Sequence, residues 1–223
     1  MRRSIASKLA GIAVLLLSAC GDGAVDGPSI SLEGDARLPP EEFAVSSLQS
    51  PVTTAGATLY LNFEGATIRY GASNSKQKTS WLVPRESGSV TFPAFTTSNY
   101  GRGDRAQTIA QLVEYVKADF REYNLKVVTS RPTSGDYTEV VVGGSPSLIQ
   151  EAKTTAGIAP LDTSNYNAND IVLVFSDVLS NLRELATCIS HEAGHSYGLD
   201  HLEPTEAIMY PVLSRGALTF MAG

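Results

Sequence analysis

The sequence predicts an α+β domain, α/β-like in style, with a mixed, twisted sheet of about five strands and two long helices. Three observations predict it. Residues 137–142 and 170–175 contain continuous aliphatic runs (Val-Val-Val and Ile-Val-Leu-Val-Phe), the pattern of strands buried on both faces under helical cover. From Asp104 onward the apolar residues recur at i, i+3, i+4 and i+7, as on one face of a helix. A second helical pattern begins near Asn181 and carries His191 and His195, two of the chain's three histidines, before a stop at Gly198.

With 223 residues, 43% of them hydrophobic and 18% charged, the chain has enough material for one domain with a real core. The formal net charge is −6. No basic patch is present to meet phosphates, so nucleic acid is excluded as a partner.

Residues 1–19 read as a targeting segment. Arg2, Arg3 and Lys8 form a positive start, and 9–17 is an apolar stretch too short to span a bilayer. It ends in Leu-Ser-Ala-Cys, which looks like a bacterial lipobox, with Cys20 as the lipidated first residue of the mature chain. The expected location is a membrane-anchored lipoprotein in the periplasm or at the cell surface. The alternative is a secreted protein cut by an ordinary signal peptidase. Cys188 is then left alone and reads as a small buried hydrophobe. Residues 20–56 are rich in Gly, Pro, Ser, Asp and Glu without periodicity, and are expected to be a flexible tether or a short propeptide.

The folded domain is expected over 57–223, and its elements follow in order. Leu59, Leu61 and Phe63 alternate with Tyr60 and Asn62, a strand closed by Glu64-Gly65. Residues 66–103 form a long connection with room for a hairpin, and Trp81, Phe92 and Phe95 predict that it packs. Arg102-Gly103-Asp104 is expected to be a loop running into a helix cap, because Asp104 and Gln107 have capping-box spacing. The stripe Ile109, Leu112, Val113, Val116, Phe120 then carries a helix to near Asn124. Strands are expected at 125–129, 137–142 and 170–175. Between them, 147–153 is a candidate short helix and 156–160 a candidate edge strand, where Pro160 is tolerated. In the last helix Leu182, Leu185, Ala186, Ile189 and Ala193 share one face. At 100° per residue His191 and His195 fall about 180° and 220° from Leu182, away from that stripe.

His191-Glu192-Ala193-Gly194-His195-Ser196-Tyr197-Gly198-Leu199-Asp200-His201 has the spacing H-E-x-x-H-x-x-G-x-x-H. Imidazoles four residues apart stand one above the other on a helix and can chelate one zinc ion. Gly198 suits a left-handed helix stop, after which the chain can double back and present His201. Three ligands leave one position open, the pattern of a catalytic rather than a structural zinc site. Glu192 lies on the same flank, long enough to act on a water molecule there. From average residue frequencies, a chance match in a chain this size is roughly one in 10⁵.

This spacing, followed by Ala207-Ile208-Met209-Tyr210-Pro211, resembles the metzincin zinc endopeptidases, and the Met-Tyr-Pro wording is closest to the matrixins. The resemblance implies a metzincin (zincin) fold with an active-site helix and a Met-turn. It implies zinc ligation by His191, His195 and His201, with Glu192 as the general base. It implies Met209 as an apolar floor beneath the metal and Tyr210 as part of the specificity wall. It implies hydrolysis of proteins or peptides bound in extended form against an edge strand, for which 155–160 is the candidate. It allows structural Ca²⁺, for which no ligand set stands out. Two departures follow from the residues: there is no cysteine switch, and no further histidine for a second zinc. The family's C-terminal helix is expected to be partial, over 213–221, and broken at Gly216. A competing reading is a non-catalytic zinc- or peptide-binding surface lipoprotein with a relic site. Glu192 argues against it, since binding zinc alone does not need that residue.

Overall fold

The computed structural model describes residues 36–44, 56–151, 153–213 and 219–221. The targeting segment 1–19 and Cys20 lie outside the described residues. The described strands are β1 (Ala36–Arg37), β2 (Ala57–Asn62), β3 (Ala66–Arg69), β4 (Ser89–Phe92), β5 (Leu125–Val128), β6 (Thr138–Val142), β7 (Gly157–Pro160) and β8 (Ile171–Val174). The helices are α1 (Glu41–Ala44), α2 (Arg105–Asp119) and α3 (Leu182–Ser196).

Six strands form one mixed sheet in the order β1-β7-β8-β6-β2-β5. β2 runs parallel to β5 and β6, and β6 runs parallel to β8. β7 reverses, pairing antiparallel with β8 at Gly157–Val174 and Ile158–Leu173. The expectation of about five strands and two long helices is met, with the two-residue β1 added. The long connection holds the hairpin of β3 and β4. Trp81, Phe92 and Phe95 are buried in it.

The aliphatic runs behave as their two-sided burial requires. Alternate side chains leave a strand on opposite faces. Val140, Val142, Val172 and Val174 face the cluster that holds Leu112, Val116, Leu185 and Ile189 of the two long helices. Val141, Ile171 and Leu173 face Ile68, Trp81, Leu82 and Phe92. The second face is therefore covered by the hairpin and its connection. Helical cover on both faces, as the continuous runs predicted, is corrected: apolar runs report burial, not what does the burying.

Both long helices begin as the sequence indicates. The Asp104 carboxylate accepts the Gln107 N–H at 2.8 Å, so the Arg-Gly-Asp triplet is spent on a cap. Asn181 Oδ1 accepts from the Arg183 and Glu184 N–H groups at 2.8 and 3.2 Å. Asn181→Ala is expected to cost about 1 kcal/mol, seen as a fall of roughly 2–4 °C in the melting temperature. A bolt then fixes α3 to α2. The buried side chain of Asp119 accepts from Arg183 at 2.5 Å and from the Ser190 hydroxyl at 2.8 Å. Burial pushes the Asp119 carboxyl up, and the Arg183 contact opposes it.

Two readings are corrected. The helix expected over 147–153 is a single 3₁₀ turn, Pro146–Ile149, because Gln150 takes a left-handed φ of 65°. The described part of 213–221 is not helical: Thr219 bridges to Ala207, and the Ile208 N–H donates to the Thr219 carbonyl at 2.9 Å. Within the segment expected to be a tether or a short propeptide, 36–37 form a strand and 41–44 a helical turn. β1 pairs parallel with Ala159 and Pro160 of β7, and the Leu161 N–H donates to the Arg37 carbonyl at 2.9 Å. Arg37 pairs with Glu151, and Glu42 meets Tyr70 and Arg85. No described helix is long and apolar enough to cross a membrane.

Candidate active site

The site forms where α3 ends against β7 and the 207–211 turn. His191, Glu192 and His195 are fully buried, and His201 is partly exposed. One ring nitrogen from each of the three histidines lies within 4.8 Å of the others. The ring centroids of His191 and His195 are 4.6 Å apart, and those of His195 and His201 4.8 Å. The expected triad is thus assembled, two members by helical spacing and one by the return of the chain.

That return is built from backbone bonds. The Gly198 N–H donates to the His195 carbonyl at 2.9 Å, and the Leu199 N–H to the Gly194 carbonyl at 3.0 Å. These two bonds, with Gly198 at φ 86°, make a Schellman stop, which glycine adopts at little steric cost. Space demands glycine there as well, since a Cβ would stand 2.9 Å from the Asp162 carbonyl oxygen. The loop after β7 is tied to the same helix end, with the Asp162 N–H donating to the His195 carbonyl at 3.2 Å.

Two carbonyls set the ring orientations. His191 Nδ1–H donates to the Ile208 carbonyl at 2.7 Å, and His195 Nδ1–H to the Leu199 carbonyl at 2.8 Å. With the proton held on Nδ1, each Nε2 keeps its lone pair. The two Nε2 atoms face each other at 3.0 Å. Two lone pairs at that distance repel unless a cation stands between them. Ligands of a tetrahedral zinc, each about 2.0–2.1 Å from the metal, are about 3.3 Å apart. The donor set therefore fits zinc. Burial pushes His195 down to about 4 and His191 well below its ordinary range, with the neighbouring imidazoles adding to it. Both rings are neutral at pH 7, so neither has to lose a proton to bind a metal.

Met209 is buried beneath the helix, and its Sδ would stand 2.6 Å from a Cβ at Gly194. The Met209 carbonyl accepts the Leu202 N–H at 2.9 Å, joining the turn to the His201 loop. Tyr210 follows at the surface side, partly buried. Cys188 is buried in the core cluster of α3, as a small hydrophobe would be. Glu192 points toward β7, with Gly157 directly beneath its side chain. The Ile208 and Leu199 carbonyls and Gly157 did not emerge from the sequence. Backbone carbonyls leave no sequence signal, whereas a glycine inside a strand does signal close approach.

A family model described as Matrixin, of the M10 peptidases, matches residues 69–220. No curated protein matches the chain. Among solved structures, the crystal structure of metalloproteinase-II from Bacteroides fragilis is similar at a TM-score of 0.43 and 11% identity. The match covers 87% of this chain and 54% of that one, so this chain spans about half the length of the solved relative.

Proposed function

The chain belongs to the matrixin family of zinc metalloendopeptidases, and on that premise we propose that it hydrolyses extracytoplasmic proteins or peptides with Glu192 as general base. The observation that carries the reading is the pair of buried Nε2 lone pairs facing each other beside a third imidazole, with Glu192 on the same helix flank. His191, His195 and His201 would hold the zinc. Zinc, when bound, supplies Lewis-acid chemistry, polarising a carbonyl and acidifying water. Glu192 takes the proton of the attacking water and delivers it to the departing amine. The Ile208 and Leu199 carbonyls keep two of the ligand rings in register, and Met209 packs against Gly194 on the helix that carries them. No serine or cysteine nucleophile is required: Ser190 is bonded to Asp119 and Ser196 to the Ala193 carbonyl. The test is cleavage of a peptide library by residues 21–223, with zinc measured on the same sample. A zinc-loaded, folded protein without turnover would favour the relic-site reading.

The substrate lies extended along β7, by strand addition. Ala36–Arg37 already occupies that edge at Ala159–Pro160, which supports reading part of 20–56 as a propeptide that competes with substrate. A chain starting at residue 56 is expected to show a higher kcat/KM for extended peptides than one starting at 21. The gain is about tenfold if the segment is docked nine-tenths of the time. Equal values for two folded proteins would leave the segment a tether.

The protein is anchored to the membrane through lipid on Cys20, facing the periplasm or the cell surface. Cys20→Ser is expected to move it from the membrane to the soluble fraction. Unchanged fractionation would overturn the anchor.

A further inference from the structure

We propose that Gly157 is a positioning residue, whose lack of a side chain sets where the Glu192 carboxylate stands. The inference rests on the reading of Glu192 as general base. Gly157 opens β7, and its φ lies outside the left-handed region, so its backbone conformation suits any residue. The demand for glycine is one of space. A Cβ at 157 would lie 2.6 Å from Glu192 Cγ and 2.8 Å from both Cδ and Oε1. Non-bonded carbon atoms do not stand that close, so something must move.

The strand cannot retreat. Gly157 and Ile158 are paired with Val174 and Leu173 of β8, and the Phe175 N–H donates to the Ala156 carbonyl at 2.8 Å. The helix cannot retreat either. Glu192 sits well inside α3, between two histidines, and α3 is bolted to α2 through Asp119, Arg183 and Ser190. The group that gives way is the Glu192 side chain, whose Cγ, Cδ and Oε1 are the atoms met, by rotation away from its well. It is fully buried, so any rotation carries the carboxylate to a different place beside the histidines. The strand that receives the peptide in the reading above therefore also carries the surface against which the base rests. Substrate register and base position share one structural element.

The experiment uses Gly157→Ala, Glu192→Gln and the double variant in residues 21–223. Gly157→Ala is expected to lower kcat by about 10–100-fold, the scale of a misplacement near 1 Å. KM and zinc content stay at the wild-type values, because neither the ligands nor the peptide-pairing backbone is altered. In the Glu192→Gln background the same substitution is expected to cause no further loss, since it acts through a base already removed. An unchanged kcat for Gly157→Ala beside a depressed kcat for Glu192→Gln would overturn this inference alone. So would a loss carried in full into the Glu192→Gln background. Full activity of Glu192→Gln would overturn the base reading and this inference with it. If Gly157→Ala is too unstable to assay, adding Glu192→Ala removes the colliding atoms and is expected to restore its melting temperature. No restoration would overturn the inference.

Discussion

Glu192→Gln is expected to lower kcat by about 10²–10⁴-fold, the usual contribution of a positioned general acid–base group, while zinc content and melting temperature stay at wild-type values. Gln has the shape of Glu, so it rests against Gly157 in the same way and leaves α3 undisturbed. The histidine triad does not depend on it, because His191 and His195 are oriented by the Ile208 and Leu199 carbonyls. What the amide lacks is the ability to accept a proton from water and return it to the amine. Peptide turnover and zinc content, measured on the same preparations, decide the matter. Equal turnover would remove Glu192 from the mechanism. Loss of zinc along with turnover would make Glu192 part of the metal cradle and not a base.

His195→Ala is expected to abolish activity and to weaken zinc binding by more than the about 10–100-fold typical of losing an outer partner of a ligand. His195 is the middle member of the triad: its ring stands against both His191 and His201. Because bound metal stabilises only the folded chain, the variant also loses the metal-dependent part of its stability. That part is about 2.7 kcal/mol when free zinc is 100 times the dissociation constant. Chelation of the wild type should reproduce that loss in a thermal melt. The metal-free wild type should also respond to acid. Burial depresses His195 from 6.5 to about 4 in the folded state, so between those values the unfolded chain binds the extra proton. Stability is therefore present above about pH 6.5 and declines as pH falls toward 4, by up to about 1.4 kcal/mol per unit. The Ala variant should show a shallower decline in the same window. Parallel curves would mean that His195 is not buried in its neutral form.

The legible parts of this protein are those whose physics is local. Helical spacing alone puts His191 above His195, and Gly198 ends the helix because glycine takes a left-handed φ without steric cost. Asp104 and Asn181 announce their helices because an N-cap bond spans only two or three residues. The run of valines in β6 announces burial on both faces. Met209, two residues before Pro211, marks the turn that closes under the site.

What the tertiary structure alone decided depends on contacts between residues far apart in sequence. Strand periodicity tells which side chains share a face, but not which strand lies alongside. Neither the reversal of β7 nor the docking of Ala36–Arg37 on its edge can be read from either segment by itself. The same holds for the cover on the second face of the sheet, which is a hairpin where helices were expected. Within the site, the sequence determined which groups can bind a metal and accept a proton. Tertiary packing decided how they are held: by the Ile208 and Leu199 carbonyls on two rings, by Met209 against Gly194, and by Gly157 beneath Glu192. Ligand identity is carried by residue type and short spacing, whereas orientation comes from close packing across elements, where a single Cβ is enough to move a carboxylate.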